Sequence, residues 1–280
     1  MQIKVKSKYV RILSIDGGGI RNIIPAEILR VLEHKLQEKT GRSEVRLADY
    51  FDMIAGSGFG GIMACAYLSP LKPQQTSTRF STSQVMDIFM RFGEKIFSDT
   101  LDHRILSLGG FLDEKYDADG LEEMLELHFD TLQLSHLLKP CVIPAYDISR
   151  REVHFFNKFK ADKPARDFYV KDFAYATTAI PTLFECKKMQ SLSGVHYAMI
   201  DGGMFANNPA LCAYAEARTI FQQPNNPKKG VTATGMVVLS LGTGQPKRYY
   251  EFEEAKKWNL AGWARPLVDI TSFANSEVVE

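Results

Sequence analysis

The chain has 280 residues, 45% hydrophobic and 24% charged, with 34 Lys plus Arg nearly matched by 33 Asp plus Glu for a net charge of +1. That balance excludes collagen-like, mucin-like and wholly disordered chains, and it lacks the strongly basic character of a dedicated nucleic-acid binder. Four cysteines (Cys65, Cys141, Cys186, Cys212) form no C-x-x-C pair, so neither a zinc ribbon nor a small disulfide scaffold is indicated. Met1 to Tyr9 shows no apolar secretory run, and no window approaches 18 consecutive apolar residues. The expectation is a cytosolic protein.

In chain order, Tyr9 to Ile15 reads as a strand stopped by Asp16-Gly17-Gly18-Gly19. From Pro25 the spacing turns helical, with Ile28, Leu29, Leu32 and Leu36 on one face and Gly41 as the stop. Phe51 to Ala55 is a second short strand ending in glycines, and Ile62 to Leu68 a buried helix. Strand, glycine turn and helix, twice over, predict an α/β protein with a mostly parallel sheet. Leu71 to Ser83 is a surface loop, and Val85 to Ile96 returns to helical spacing. Leu101 to Tyr116 is mixed, a candidate lid or insertion. Asp119-Gly120-Leu121-Glu122 resembles a capping box opening a helix over Leu121 to Phe129. Cys141 to Ile148 and Glu152 to Asn157 read as strands of a hairpin. Ala198 to Ile200 runs into Asp201-Gly202-Gly203, Gln222 to Gly230 is a loop, and Met236 to Leu241 is the last clear strand. Without repeats or low-complexity linkers, residues 1–280 read as a single domain, and its helix-compatible end at Glu280 is what a trimmed longer chain would show.

Three glycine clusters follow strands, where parallel sheets place their ligand sites. Gly56-Ser57-Gly58-Phe59-Gly60-Gly61 matches the dinucleotide fingerprint G-x-G-x-x-G letter by letter. That fingerprint also needs an acidic residue at a strand end about 20 residues on, and Asp87 falls inside helical periodicity instead. The same segment also fits a G-x-S-x-G elbow, which exposes a nucleophile on a strained strand-to-helix turn. Aligned so, Gly56 and Gly60 flank a nucleophile position occupied by Gly58.

Four motifs in order, Asp16-Gly-Gly-Gly-Ile-Arg21, Ile54-Ala-Gly-Ser-Gly-Phe-Gly-Gly-Ile62, Thr177-Thr-Ala-Ile-Pro-Thr-Leu-Phe184, and Ile200-Asp-Gly-Gly203 with Asn207-Asn-Pro209, resemble the patatin-like phospholipases. The resemblance implies a three-layer α/β/α fold and lipid-ester hydrolysis by a Ser–Asp dyad. It places oxyanion-hole N–H donors at Gly17, Gly18 and Gly19, the nucleophile at position 58 and its partner at Asp201. Arg21 matches the basic residue of the first motif, and Gly56, Gly60, Gly202 and Gly203 support the turns. Asn22 stands where the family usually has a glycine. A dyad needs no histidine, and the six histidines here carry no motif. No metal or cofactor is implied, and Asp113 to Gly120 lacks the EF-hand spacing.

The first motif and Trp258-Asn-Leu-Ala-Gly-Trp263-Ala-Arg-Pro-Leu267 further resemble bacterial anti-phage patatin-like effectors, which implies membrane phospholipid as substrate and a cyclic-nucleotide activator. Trp258, Leu260 and Trp263 suit peripheral anchoring at the inner membrane as well as plain packing. Gly58 removes the hydroxyl that family chemistry requires, so the chain as written is expected to lack serine-dependent activity. Three accounts stay open: an engineered inactive form, a natural G-x-G-x-G elbow, or a nucleophile displaced to Ser57. A catalytically silent lipid- or nucleotide-responsive binding protein and a dinucleotide oxidoreductase are the alternative classes.

Overall fold

The computed structural model describes residues 9–97, 118–224, 226, 228–244 and 249–280. Strand β1 (Val10–Ile15) sends Val10 and Ile12 into one core and Leu13 and Ile15 into another, all fully buried. A strand covered on both faces needs apolar residues at nearly every position, which is why this run is continuous rather than alternating. Strand β2 (Met53–Gly56) repeats the division: Met53 and Ala55 join Val10 and Ile12, while Ile54 joins Leu13. Among the described residues the sheet has seven strands, in the order β5 (Lys187–Gln190), β6 (His196–Asp201), β3 (Cys141–Asp147), β2, β1 and β7 (Met236–Leu241), with β4 (Glu152–Phe156) also on β3. β7, β1, β2 and β3 run parallel, β4 and β6 are antiparallel to β3, and β5 is antiparallel to β6. Most strands therefore point one way, as expected, and the β3–β4 hairpin is present.

Among the described residues the α-helices are α1 (Ile23–Thr40), α2 (Leu47–Tyr50), α3 (Phe59–Leu68), α4 (Thr82–Phe97), α5 (Ala118–Phe129), α6 (Val170–Ala176), α7 (Gly203–Ala206), α8 (Ala210–Ile220), α9 (Phe252–Ala255) and α10 (Leu260–Glu277). Ala213, Ala217 and Ile220 of α8 lie on Val10, Ile12, Met53 and Val142. The small alanines let the helix approach the sheet closely. The opposite face carries the larger core, containing α3, whose residues are all buried and whose surface is accordingly apolar all round. Helices on both faces of one sheet make the three-layer α/β/α arrangement.

Some sequence expectations shift. The buried face of α1 is Pro25, Ala26, Leu29 and Glu33, while Ile28 is 46% exposed. Glu33 is tolerated inside because its carboxylate accepts the Leu47 N–H (3.2 Å) and the N–H and hydroxyl of Thr82 (3.0 Å each). It thereby satisfies donors at the first residues of α2 and α4. α4 starts at Thr82, shortening the expected loop. Strand β5 and helix α8 are not among the elements read from the sequence, whereas α10 bears the helix-compatible chain end. The segment 101–116, read as a lid or an insertion, lies outside the described residues. Trp258 precedes α10 and meets Trp263 (4.9 Å between ring centroids) and Tyr250 (5.2 Å) edge to face, while Leu260 projects 94% exposed. Asn259 caps α10 by accepting the Gly262 N–H at 2.9 Å. Among the described residues no helix is long and apolar enough to cross a membrane.

Candidate active site

The three glycine turns meet at one end of the sheet. Between β2 and α3 the chain reverses through Gly58, at φ 53° and ψ −129°, a region that L side chains rarely adopt. The flanking glycines are required by space. A β-carbon on Gly56 would stand 2.1 Å from the Gly60 carbonyl oxygen, and one on Gly60 would stand 2.5 and 2.6 Å from the carbonyl oxygens of Ile15 and Asp16. Position 58 differs: a β-carbon there meets nothing closer than Gly17 Cα at 3.7 Å, the Thr177 carbonyl at 3.8 Å and Asp201 Oδ2 at 3.9 Å. These are ordinary contacts, so the elbow has room for a side chain that Gly58 does not use.

Thr177 holds the elbow. Its hydroxyl accepts the Gly58 N–H at 3.2 Å and donates to the Pro144 carbonyl at 2.6 Å. Asp201, the last residue of β6, donates its backbone N–H to Ala179 at 3.0 Å and has a side chain only 4% exposed. Its Oδ1 accepts the Gly203 N–H at 2.7 Å, which fixes the carboxyl and leaves Oδ2 toward position 58. Burial pushes the Asp201 carboxyl up to about 7, the Gly203 N–H only partly opposing this.

In the first turn, Gly17 donates its N–H to the Asn207 carbonyl at 3.0 Å, and its own carbonyl accepts from the Thr243 hydroxyl at 3.2 Å. Of the three glycines expected to donate to an oxyanion, Gly17 thus has its amide hydrogen engaged. The N–H groups of Gly18 and Gly19 have no partner among the described residues. Arg21 donates to the Gly244 carbonyl at 2.8 Å and lies over the Phe273 ring, 5.3 Å from its centroid. Asp16 turns away from the cavity: its Oδ1 is buried without a partner, and burial, aided by Glu280, pushes the carboxyl up to about 7.

Gly17, Gly18, Gly19, Arg21, Gly58 and Asp201 share a cavity of about 450 Å³. Ile180, Leu183 and Phe184 give it one apolar wall, and Pro266, Val268 and Phe273 of α10 another. An acyl chain suits such walls, with the polar turns at its carbonyl end. α10 is tied to the site by Asn275, which accepts the Asn207 N–H at 2.8 Å and donates to the Gly203 carbonyl at 2.9 Å.

Ser57 does not line the cavity; it is fully buried and its Oγ has no partner among the described residues. Among the described residues no histidine lines the cavity and no group of acidic, histidine or cysteine side chains could hold a metal. The dinucleotide alternative lacks its second strand, because α3 is followed by α4, which contains Asp87. Thr177 and Asn207 fall within motifs read from the sequence but had no role assigned there. Thr243, in the turn after β7, had no spacing signal at all.

The profile of the family described as "Patatin-like phospholipase" matches residues 13–214. "Patatin-like protein 2" of Arabidopsis thaliana is 35% identical over all of this chain and 72% of its own length. "Patatin-like protein 2" of Oryza sativa subsp. indica is 30% identical over 98% of this chain and 72% of its own length. "Probable inactive patatin-3-Kuras 1" of Solanum tuberosum is 31% identical over 96% and 72%. A buried aspartate facing a strand-to-helix elbow, beside a glycine turn whose Gly18 and Gly19 amides have no partner among the described residues, agrees with these likenesses. The chain belongs to the patatin-like phospholipase family.

Proposed function

We propose that this site is built to cleave lipid acyl esters by a dyad of position 58 and Asp201, and that the chain as written, with Gly58, has no serine-dependent turnover. The observation that carries the reading is the fit at the elbow. A β-carbon at position 58 is accommodated and lies 3.9 Å from Asp201 Oδ2, so a hydroxyl one bond further out comes within hydrogen-bond reach of that oxygen. In the serine form, Oγ attacks the acyl carbonyl and its proton passes to Asp201. The Gly18 and Gly19 N–H groups receive the oxyanion, and the apolar walls hold the chain. A base near 7 suits this task, since it is available at neutral pH yet basic enough to take the proton.

The same observation favours a second reading, a silent lipid-binding member of the fold. The potato relative with "inactive" in its name offers a parallel. Gly58→Ser separates the two. The first reading expects a gain of at least about 10³-fold in hydrolysis of a p-nitrophenyl ester or a phospholipid, with covalent labelling by a fluorophosphonate. A folded Gly58→Ser protein that gains nothing removes the dyad, and lipid binding without turnover then supports the second.

A further inference from the structure

The space beside Gly58 has a chemistry of its own. The point a β-carbon would occupy there is 3.9 Å from Asp201 Oδ2 and 3.8 Å from the Thr177 carbonyl oxygen, and it opens into the cavity that holds the Gly18 and Gly19 amides. A water oxygen placed there and shifted about 1 Å toward the carboxylate reaches an ordinary O–H···O distance of about 2.8 Å. Asp201 Oδ2 then accepts the proton the water must lose, and the Thr177 carbonyl oxygen, 3.8 Å from the β-carbon point, borders the same space. A lone pair is left for the cavity. Asp201 cannot swing away, because Oδ1 is held by the Gly203 N–H at 2.7 Å.

We infer that in this chain a water molecule takes the part of the missing hydroxyl and that Asp201 drives its direct attack on activated acyl esters, making the Gly58 form a slow single-displacement esterase. The inference rests on the reading of Asp201 and the first glycine turn given under the proposed function. The water oxygen bonds to the acyl carbon, its proton moves to Asp201 Oδ2, and the carbonyl electron pair moves onto the oxygen facing Gly18 and Gly19. Collapse reforms the carbonyl and breaks the ester C–O bond, and the departing oxygen takes the proton back from Asp201. A carboxylic acid and an alcohol leave, Asp201 is again a carboxylate, and no acyl-enzyme forms. With a single carboxyl as the acid, aryl esters with stable leaving groups are the preferred substrates. The Ile180, Leu183 and Phe184 wall selects acyl chains over small acids.

The test measures p-nitrophenyl butyrate hydrolysis by the chain as written, Asp201→Asn, Gly58→Ala, Ser57→Ala and Gly58→Ser, with and without fluorophosphonate pretreatment. The Gly58 chain is expected to exceed spontaneous hydrolysis by about 10³-fold, unaffected by the probe and without a mass adduct. Asp201→Asn should lower that rate by about 10²-fold or more. Gly58→Ala, whose methyl fills the water position, should do the same even if Asp201→Asn fails to fold. Ser57→Ala should leave the rate unchanged. A rate that survives Gly58→Ala, or one that is blocked by the probe and lost in Ser57→Ala, overturns the inference. So does a Gly58 chain no faster than background while Gly58→Ser is active and labelled, an outcome that leaves the dyad reading standing. If Gly58→Ser is inactive as well, the dyad reading itself fails.

Discussion

Asp16 directly follows β1 and Asp201 ends β6 of the same sheet, Asp16 runs into three glycines and Asp201 into two, and burial pushes both carboxyls up to about 7. They differ in the face they occupy. Asp16 continues the alternation of Val10, Ile12 and Ser14 toward the α8 layer, where its Oδ1 has no partner. Asp201 shares the parity of Met199, which lies in the larger core, and so comes to face the elbow. One residue of register decides which aspartate meets position 58. An Asp-Gly-Gly triplet at a strand end is therefore only half of a site; the other half is its parity relative to the elbow.

That contrast can be broken in solution. The largest effect is expected in the Gly58→Ser background, where Asp201→Asn should cost about 10³- to 10⁴-fold in kcat/KM and Asp16→Asn less than about tenfold. Equal losses would mean that the two turns are not distinct in function. Next comes stability against pH. Burial raises both carboxyls to near 7 from the ordinary 3.8, so between these limits the folded chain holds more protons than the unfolded one. Their stabilising contribution is complete below about pH 4, falls as pH rises to about 7 and is flat above. The loss is on the order of 4 kcal/mol per group as an upper figure. Thermal unfolding from pH 5 to 8 should show a falling Tm, with roughly half the slope removed by Asp16→Asn. A slope that Asp16→Asn leaves intact would confine the effect to Asp201. The smallest of the three concerns the contact between the turns. Gly60→Ala drives a methyl against the carbonyls of Ile15 and Asp16 and should destabilise by about 3 kcal/mol. An unchanged urea midpoint would show that the elbow and the Asp16 turn are not rigidly packed.

The strands around the site are legible where burial on both faces leaves short, mostly apolar runs ended by glycine turns, as in Val10–Ile15 before Asp16. Gly58 and Asp201 are legible because elbow and Asp-Gly-Gly signatures are local. What escapes is set by packing. Lys187–Gln190 pairs only with β6 and buries only Met189, so it shows no alternation. Pro266 lies within α10, where a proline ordinarily costs about 3 kcal/mol, so the sequence shows a helix-compatible end but not that this helix forms one wall of the cavity. The engagement of the Gly17 amide by Asn207 joins residues 190 positions apart, beyond any spacing rule. Glu33 mimics a solvent-facing position until the donors of Leu47 and Thr82 are known.

Glu33 also has a consequence for how the molecule opens. Its single carboxylate ties the middle of α1 to the first turns of α2 and α4, so lifting any one of them strands a buried charge or orphans helix-end donors. The three helices are thus expected to unfold as one cooperative unit, their slowest amides sharing a common opening free energy in native-state hydrogen exchange. Glu33→Gln should split that unit, letting α2 exchange ahead of α1; unchanged, uniform protection would show that apolar packing alone couples them.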